Sequence, residues 1–270
     1  MKTLAIFSDG HTNSHVGLAM PKVRLDNGDD VQAGELRKFI YRTYMDILED
    51  VEKKKKGALY SVLNGDMGEG DYKERTTSLI TRDKTLILGY MNDVYDPIFQ
   101  TSKGVWVVRG TEAHVGCNGE LEEGMARNFK NAIKDEDTAS WRSLFLNFEG
   151  VTMDIMHHPA SNGGGRPMNR GNTVDRLAAD TMFMYANAGD VPPQLVIRSH
   201  LHGYMNSYDR FRTRGIITPP LSLLTPYNFR SGINRENSLG CLLIYCHNGE
   251  YEIDDTLIRK ARKPKWQSVK

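Results

Sequence analysis

Aspartate and histidine residues recur in this sequence directly after short apolar runs. The first such run, Leu4 to Phe7, stops at Ser8-Asp9-Gly10-His11, so a carboxylate and an imidazole lie two residues apart. An apolar run of this length predicts a buried strand, and open α/β sheets carry their chemistry at the carboxyl ends of strands. Gly10 is expected to let the backbone turn, so that Asp9 and His11 converge on one cation. A motif this short is expected by chance in many chains, so it needs support from elsewhere.

The support is that the pattern follows four later apolar segments, as Gly65-Asp66, Gly110 to His114, His157-His158-Pro159 and His200-Leu201-His202. His200 and His202 lie on the same side of an extended segment, an arrangement that favours metal ligands over core residues. Mixed carboxylate and imidazole ligands suit Zn, Mn or Fe, and a shared aspartate would hold two cations about 3.5–4 Å apart. The chemistry predicted is in-line hydrolysis of a phosphate ester.

Strands and helices alternate in the first half of the chain. Apolar residues at helical spacing predict an amphipathic helix from Gly34 to about Lys54, between strands at 4–7 and 58–63. A second helix is predicted from about Lys84 to Tyr95, broken near Pro97 and followed by a strand at 105–108. This alternation is typical of right-handed crossovers and a parallel sheet.

The second half is richer in strands. The predicted elements are a helix around Leu121 to Ile133, a hairpin of 144–148 with 151–156, a helix around Leu177, and strands at 194–198, 204–210, 215–218, 241–245 and 251–253. We see no internal repeat and no linker, so residues 1–270 are predicted to form one domain, with a basic C-terminal tail at 259–270.

Composition limits the partners and the compartment. The 270 residues contain 35 basic and 34 acidic side chains, a net charge of +1 that does not indicate wholesale nucleic-acid binding. The run Lys53 to Lys56 is expected to be a solvated helix end, with a nucleic-acid surface as the alternative. Three cysteines without Cys-x-x-C favour a reducing compartment. With no leader and no apolar run of membrane length, we expect a soluble cytoplasmic protein that contacts no membrane.

From residue 9 to residue 203 the motifs, in this order, resemble those of the calcineurin-like metallophosphoesterases, and the chain looks like some phage-encoded members, which act in the host cytoplasm. The resemblance implies an α/β fold, a four-layer αββα sandwich with two central mixed sheets. It also implies a binuclear site in which a metal-bridging hydroxide hydrolyses phosphate mono- or diesters. Nucleotides and nucleic acid are among the substrates left open. The implied cofactors are two divalent metal ions, with Mn²⁺ favoured and Zn²⁺, Fe or Ni²⁺ as alternatives.

The resemblance also implies roles for residues of this chain. Asp66 would bridge the two metals and take part in catalysis, and the other ligands would be Asp9, His11 and His202 at the first metal and His157 and His200 at the second. His157 is preferred to His158 because the family ligand is followed by x-Pro, as in His157-His158-Pro159.

The third motif departs from the family pattern Gly-Asn-His-Glu/Asp, because the sequence here is Gly110-Thr111-Glu112-Ala113-His114. Thr111 replaces the metal-binding Asn and is a poorer ligand, so the second site is expected to be weaker than usual or to be completed by Glu112 or water. His114 comes two positions late, yet it is retained as the catalytic acid because a general acid needs only hydrogen-bond reach and a suitable pKa. The departure motivates an alternative function, a catalytically impaired scaffold that binds metal and a partner protein.

Other polar residues near these motifs have less certain roles. Asn64 is expected to contact substrate phosphate or to close the turn after its strand. Glu69 and Asp71 are expected to be turn residues or supports for the ligands.

Overall fold

The structure is a computed structural model that describes residues 1–73, 78–159, 170–224 and 238–261. Five α-helices lie in these ranges: α1 Glu35–Lys54, α2 Lys84–Thr101, α3 Glu112–Val115, α4 Glu120–Asn128 and α5 Arg170–Ala188. The strands described there are β1 Lys2–Phe7, β2 Lys22–Arg24, β3 Asp30–Gln32, β4 Ala58–Asn64, β5 Val105–Val108, β6 Leu144–Phe148, β7 Val151–Ile155, β8 Leu195–Arg198, β9 Met205–Asn206, β10 Arg214–Ile217, β11 Ser238–Leu239, β12 Leu242–His247, β13 Glu250–Asp254 and β14 Arg259–Lys260.

Two five-stranded mixed sheets form the centre of the molecule. The first has the strand order β13-β12-β1-β4-β5, in which β1, β4 and β5 are parallel and β12 and β13 are antiparallel to their neighbours. The second has the order β6-β7-β8-β10-β9, in which β7, β8 and β10 are parallel. The pairs β2-β3 and β11-β14 form two-stranded sheets. None of the helices in the described part of the chain has the length and apolarity needed to cross a membrane.

Alternation along β1 shows how the layers are stacked. Leu4 and Ile6 belong to an apolar cluster shared with Met153 and Leu195 of the second sheet, so this cluster fills the space between the two sheets. Ala5 and Phe7 face the other way, into a cluster with residues of α1, α2 and α4. A third cluster packs α5 on the outer face of the second sheet. The order helices, sheet, sheet, helix confirms the predicted αββα sandwich.

The parallel strands end side by side, which is how distant parts of the chain meet. Phe7 at the end of β1 is in register with Leu63 of β4, and Asn64 is in register with Val108 of β5. In the second sheet, Ile155 of β7 is in register with Ile197 of β8. The residues after these strands therefore emerge next to one another.

Three predicted element boundaries are wrong. α2 continues through Pro97 to Thr101, because the buried Ile98 and Phe99 keep the last turn packed and Thr101 Oγ1 donates to the Pro97 carbonyl. α4 ends at Asn128 because Phe129 is extended, and Ile133 instead donates a backbone hydrogen bond to Val105.

The third is the predicted strand 204–210. Only Met205–Asn206 is a strand there, and a short 3-10 turn follows at Tyr208–Arg210.

The lysine run at the end of α1 is neutralised by acidic neighbours. The four ion pairs are Lys53 with Glu49, Lys54 with Asp254, Lys55 with Glu52 and Lys56 with Glu252. The run is therefore a charge-paired helix end. In the predicted basic tail, Arg259 pairs with Asp50, and residues 262–270 lie outside the described residues.

Candidate metal centre

The polar residues after β1, β4, β5, β7 and β8 meet at one edge of the sandwich. Four groups of His, Asp and Glu have ligand atoms within 4.8 Å of one another: Asp9 with His11 and His202; Asp9 with Asp66 and His157; His157 with His158 and His200; and His11 with Glu69 and His114. All six residues predicted to bind metal are members of these groups. The chain thus brings together candidate ligands that are up to 193 residues apart in sequence, from Asp9 to His202.

Two features of this arrangement match the resemblance seen in the sequence. The four layers are in the expected order, and the ligand groups follow the strands in the expected sequence. The architecture is therefore the four-layer αββα sandwich that the resemblance to the calcineurin-like metallophosphoesterases implies.

Comparison with known proteins adds remote likenesses. Neither a known protein family nor a curated protein matches the sequence. Similar solved structures include Vps29 from Entamoeba histolytica complexed with Zn²⁺, with 10% identity, a TM-score of 0.44 and coverage of 97% of this chain and 98% of that chain. A predicted phosphoesterase from Streptococcus pneumoniae has 11% identity, a TM-score of 0.35 and coverage of 96% and 97%. The sulfate thiohydrolase SoxB from Thermus thermophilus has 14% identity, a TM-score of 0.43 and coverage of 96% and 56%.

The backbone is left-handed at five of the six candidate ligands. The φ angles are 51° at Asp9, 44° at His11, 52° at Asp66, 71° at His200 and 49° at His202. Asp, Asn and His tolerate this region better than most residues, and such conformations cluster at functional sites.

Gly10 does not have the role predicted from the sequence. The positive φ angles fall on its neighbours Asp9 and His11, whereas Gly10 itself is not left-handed. A Cβ at residue 10 would lie 2.0 Å from Oη of Tyr95, which donates to the Met67 carbonyl at 2.9 Å. Gly10 is therefore required for close packing under the site, and the turn is made by Asp9 and His11 themselves.

The first group joins Asp9, His11 and His202, which are at most 5% exposed. Nε2 of His11 lies 3.2 Å from Nε2 of His202, which in turn lies 3.6 Å from Oδ1 of Asp9. Oδ1 of Asp9 is buried without a hydrogen-bond partner among the described residues, while Oδ2 accepts from the His200 backbone at 3.3 Å. Burial, reinforced by His11, lowers the pKa of His202 to about 4, so the imidazole is neutral and has a lone pair for a cation.

Asp66 and His157 form the centre of the second group. Nδ1 of His157 lies 2.8 Å from the Asn64 carbonyl, to which it donates, so Nε2 is left without a proton in the neutral ring. Nε2 lies 2.9 Å from Oδ2 of Asp66, yet the two atoms do not have hydrogen-bond geometry. Two buried acceptors this close need a cation between them, either a proton or a metal ion. Burial opposes a protonated ring, but Asp66 raises the pKa of His157 to about 10.

These contacts fit a metal centre. Asp9 Oδ1 and His157 Nε2 are orphaned buried atoms, and both are offered to the same small space as Asp66. Metal-binding histidines usually donate their other ring nitrogen to a carbonyl or carboxylate. His157 does so to Asn64, and His11 Nδ1 lies 3.1 Å from Oε2 of Glu69.

Thr111 contacts Asp66 of one ligand group and both His158 and His200 of another. Its backbone N–H donates to Oδ1 of Asp66 at 2.5 Å and its hydroxyl donates to Oδ2 at 3.0 Å. The hydroxyl also lies 3.1 Å from Nε2 of His158 and 3.3 Å from Nδ1 of His200. The neighbouring Glu112 is exposed and belongs to none of the four groups.

The side-chain amide of Asn64 hydrogen-bonds to the chain segments that follow β7 and β8, and neither partner belongs to a ligand group. Its amide N–H₂ donates to the Met156 carbonyl at 3.1 Å and to Oγ of Ser199 at 2.5 Å. These bonds tie the end of β4 to the residues after β7 and β8, so the side chain links the two sheets beneath the ligands.

His114 reaches the site despite its late position in the motif. The helical turn α3 folds the chain back, and Nδ1 of His114 lies 2.7 Å from Oε2 of Glu69. Burial lowers the pKa of His114, but Asp66 and Glu69 together raise it to about 9. Burial disfavours the Glu69 carboxylate, but hydrogen bonds from His11 and His114 lower the pKa of Glu69 to about 2. The arrangement is an imidazolium oriented by a carboxylate.

Glu122 is a residue beneath the site that the sequence analysis did not single out. It is fully buried on α4, where its two carboxyl oxygens accept backbone hydrogen bonds, from Gly110 at 2.6 Å and from Met67 at 3.1 Å. Burial, with a contribution from Asp66, raises the pKa of Glu122 to about 8. A signal was available, because Glu122 shares the buried face of the helix with Met125 and Ala126. A carboxylate on an apolar helix face needs polar partners in the interior.

Proposed function

We propose that this protein is a metal-dependent phosphoesterase with a binuclear site. Asp9, His11 and His202 would hold the first metal, His157 and His200 the second, and Asp66 would belong to both. The observation that carries the proposal is the pair of orphaned buried atoms, Oδ1 of Asp9 and Nε2 of His157, in one group with Asp66. Neutral imidazoles and carboxylates suit Mn²⁺, Zn²⁺ or Fe.

When bound, a pair of divalent cations lowers the pKa of coordinated water and neutralises the charge that develops on a phosphoryl group. The residues of the chain supply the rest. Glu69 holds His114 by a hydrogen bond of 2.7 Å, which directs the other ring nitrogen away from the carboxylate. Asp66 and Glu69 raise the pKa of His114, which favours the protonated ring that can donate a proton to the leaving oxygen of an ester.

The substrate is a phosphate monoester or diester. The site could accept a nucleotide or nucleic acid as the phosphate ester, but no surface outside the site, among the described residues, supports such a substrate. The lysines at 53–56 give no free basic surface, because each has a carboxylate partner. In a nuclease such lysines would instead contact backbone phosphates.

A second candidate is a catalytically impaired scaffold that binds metal and a partner protein. Thr111 favours it, because its N–H and hydroxyl engage both carboxylate oxygens of Asp66, which the enzyme would need for metal ions. If the protein is a scaffold, it should bind metal without hydrolysing simple esters. If it is an enzyme, it should bind metal and hydrolyse them.

Hydrolysis assays separate the two functions. The protein is stripped of metal, and cleavage of bis-p-nitrophenyl phosphate and p-nitrophenyl phosphate is measured while Mn²⁺ or Zn²⁺ is titrated back. We expect cleavage only with metal, and a loss of at least about 100-fold in Asp66→Asn and His200→Asn. His247→Asn is the matched control, because His247 lies at the opposite end of the first sheet. Metal binding without cleavage would favour the scaffold, and unchanged activity in Asp66→Asn would contradict the enzyme.

A further inference from the structure

The loop after β7 carries two consecutive histidines, and both lie with His200 in one ligand group. The ring centroids are separated by 4.9 Å for His157 and His158, 4.8 Å for His158 and His200, and 5.2 Å for His157 and His200. Three imidazoles therefore surround one small space. Only one of the two consecutive histidines was expected there from the resemblance.

Thr111 lies close to two of these three rings. Its hydroxyl is within hydrogen-bond distance of His158 and His200, at 3.1 and 3.3 Å, and it donates to Asp66 at 3.0 Å. These contacts keep the His158 ring at the site even though the side chain is exposed. A threonine hydroxyl is itself a weak ligand for a divalent cation, so this position alone leaves the second site one donor short.

We propose that His158 is a ligand of the second metal and supplies the donor that Thr111 does not. The proposal rests on the binuclear site of the proposed function and deepens it. The second site then has three imidazoles, those of His157, His158 and His200, together with the Asp66 carboxylate.

This donor set differs from that of the first site. Two imidazoles and the two carboxylates of Asp9 and Asp66 form the first site, so the second is richer in nitrogen. Four-coordinate sites of this kind are typical of Zn²⁺, whereas oxygen-rich sites suit Mn²⁺ better. The two sites are therefore expected to differ in metal preference, with the second selecting Zn²⁺ or Co²⁺ over Mn²⁺.

Metal titration without substrate tests this. Zn²⁺ is titrated into the metal-free 270-residue chain by calorimetry in the presence of a competing chelator. We expect two equivalents in the unaltered protein, and one of the two weakened by at least about tenfold in His158→Asn. His247→Asn is the control, since it removes an imidazole from the far end of the sheet. The Co²⁺ absorption spectrum of the equivalent that His158→Asn weakens should also change in that variant only.

A compensating variant guards against an indirect effect on folding. Introducing Thr111→Asn into His158→Asn offers a side-chain amide oxygen beside Asp66, and we expect it to recover part of the affinity that His158→Asn loses. The proposal is overturned if His158→Asn binds two equivalents with unchanged affinities and an unchanged Co²⁺ spectrum. That result would leave the phosphoesterase proposal standing and would make His158 a candidate for contact with substrate. If the unaltered protein bound no metal, both proposals would fail.

Discussion

The Oε2 atom of Glu69 lies 2.7 Å from Nδ1 of His114. The same oxygen lies 3.1 Å from Nδ1 of His11. One buried carboxylate thus orients a proposed metal ligand and the proposed general acid. Because both rings face Glu69 with Nδ1, both leave Nε2 for another partner, a metal ion for His11 and a substrate oxygen for His114.

Replacing Glu69 with Gln should lower kcat about 10- to 100-fold. Burial lowers the pKa of His114 and carboxylates raise it, so removing one carboxylate lets the pKa fall from about 9. His114 then loses its proton at lower pH, and the alkaline limb of the kcat profile should move to lower pH. The profile of p-nitrophenyl phosphate hydrolysis measures this shift. Glu252→Gln is the control, and an unmoved alkaline limb in Glu69→Gln would argue against the orienting role.

Glu122→Gln should weaken both the fold and the site. A Gln side chain has one acceptor oxygen, so its N–H₂ group would face one of the two backbone donors, Gly110 or Met67. The free energy of unfolding should fall by roughly 1–3 kcal/mol. The rate should fall too, because Met67 and Gly110 flank Asp66 and Thr111. Denaturant unfolding and kcat are compared with Glu120→Gln, a control on the same helix, and equal behaviour of the two variants would refute the prediction.

Glu123 should make stability depend on acid pH. Burial disfavours its charge, but hydrogen bonds from Ser140, Ala139 and Thr138 lower the pKa of Glu123 from its ordinary value of 4.5 to about 2. A depressed pKa means that the carboxylate stabilises the fold above pH 4.5 and that this stability is lost as the pH falls through 2. At pH 7, Glu123→Gln should be less stable by roughly 2 kcal/mol. The difference in unfolding free energy between the two proteins should close below pH 4.5, and a difference independent of pH would contradict the assignment.

Gly10→Ala should destabilise the protein by roughly 1–3 kcal/mol, because the new methyl group meets Oη of Tyr95 at 2.0 Å. The cost should be smaller when Tyr95→Phe removes that oxygen, so the double-mutant cycle should show coupling. Gly89→Ala is the control, since its Cβ meets nothing within 4 Å in the middle of α2. If Gly10→Ala lowered the free energy of unfolding equally with Tyr and with Phe at residue 95, the contact with Oη of Tyr95 would not explain the destabilisation.

Much of the fold was predictable because its signals are local. Each apolar run followed by a polar turn, such as 4–7 before Asp9, is a buried strand reaching the edge of a sheet, and the parallel order then brings the ends together. The helix through Pro97 was not predictable in the same way. Its continuation depends on the packing of Ile98 and Phe99 against the core, which local propensity does not contain.

The site was predictable in its residue types and less so in its contacts. The strand ends placed His114 near Asp66, but the short helix that carries His114 to Glu69 depends on the loop conformation. The place of Glu122 follows from how α4 packs under two other loops. The sequence spacing of His157 and His158 could not decide which of them is a candidate ligand, because both belong to the same group with His200.

The left-handed backbone at the candidate ligands determines which replacements give interpretable experiments. Alanine at Asp9, Asp66 or His200 would delete a ligand and also place an unfavourable residue at a positive φ, at a cost of about 1–2 kcal/mol. Asparagine tolerates that conformation and keeps similar bulk. A lost activity in an alanine variant would therefore mix backbone strain with missing chemistry, whereas an asparagine variant separates them.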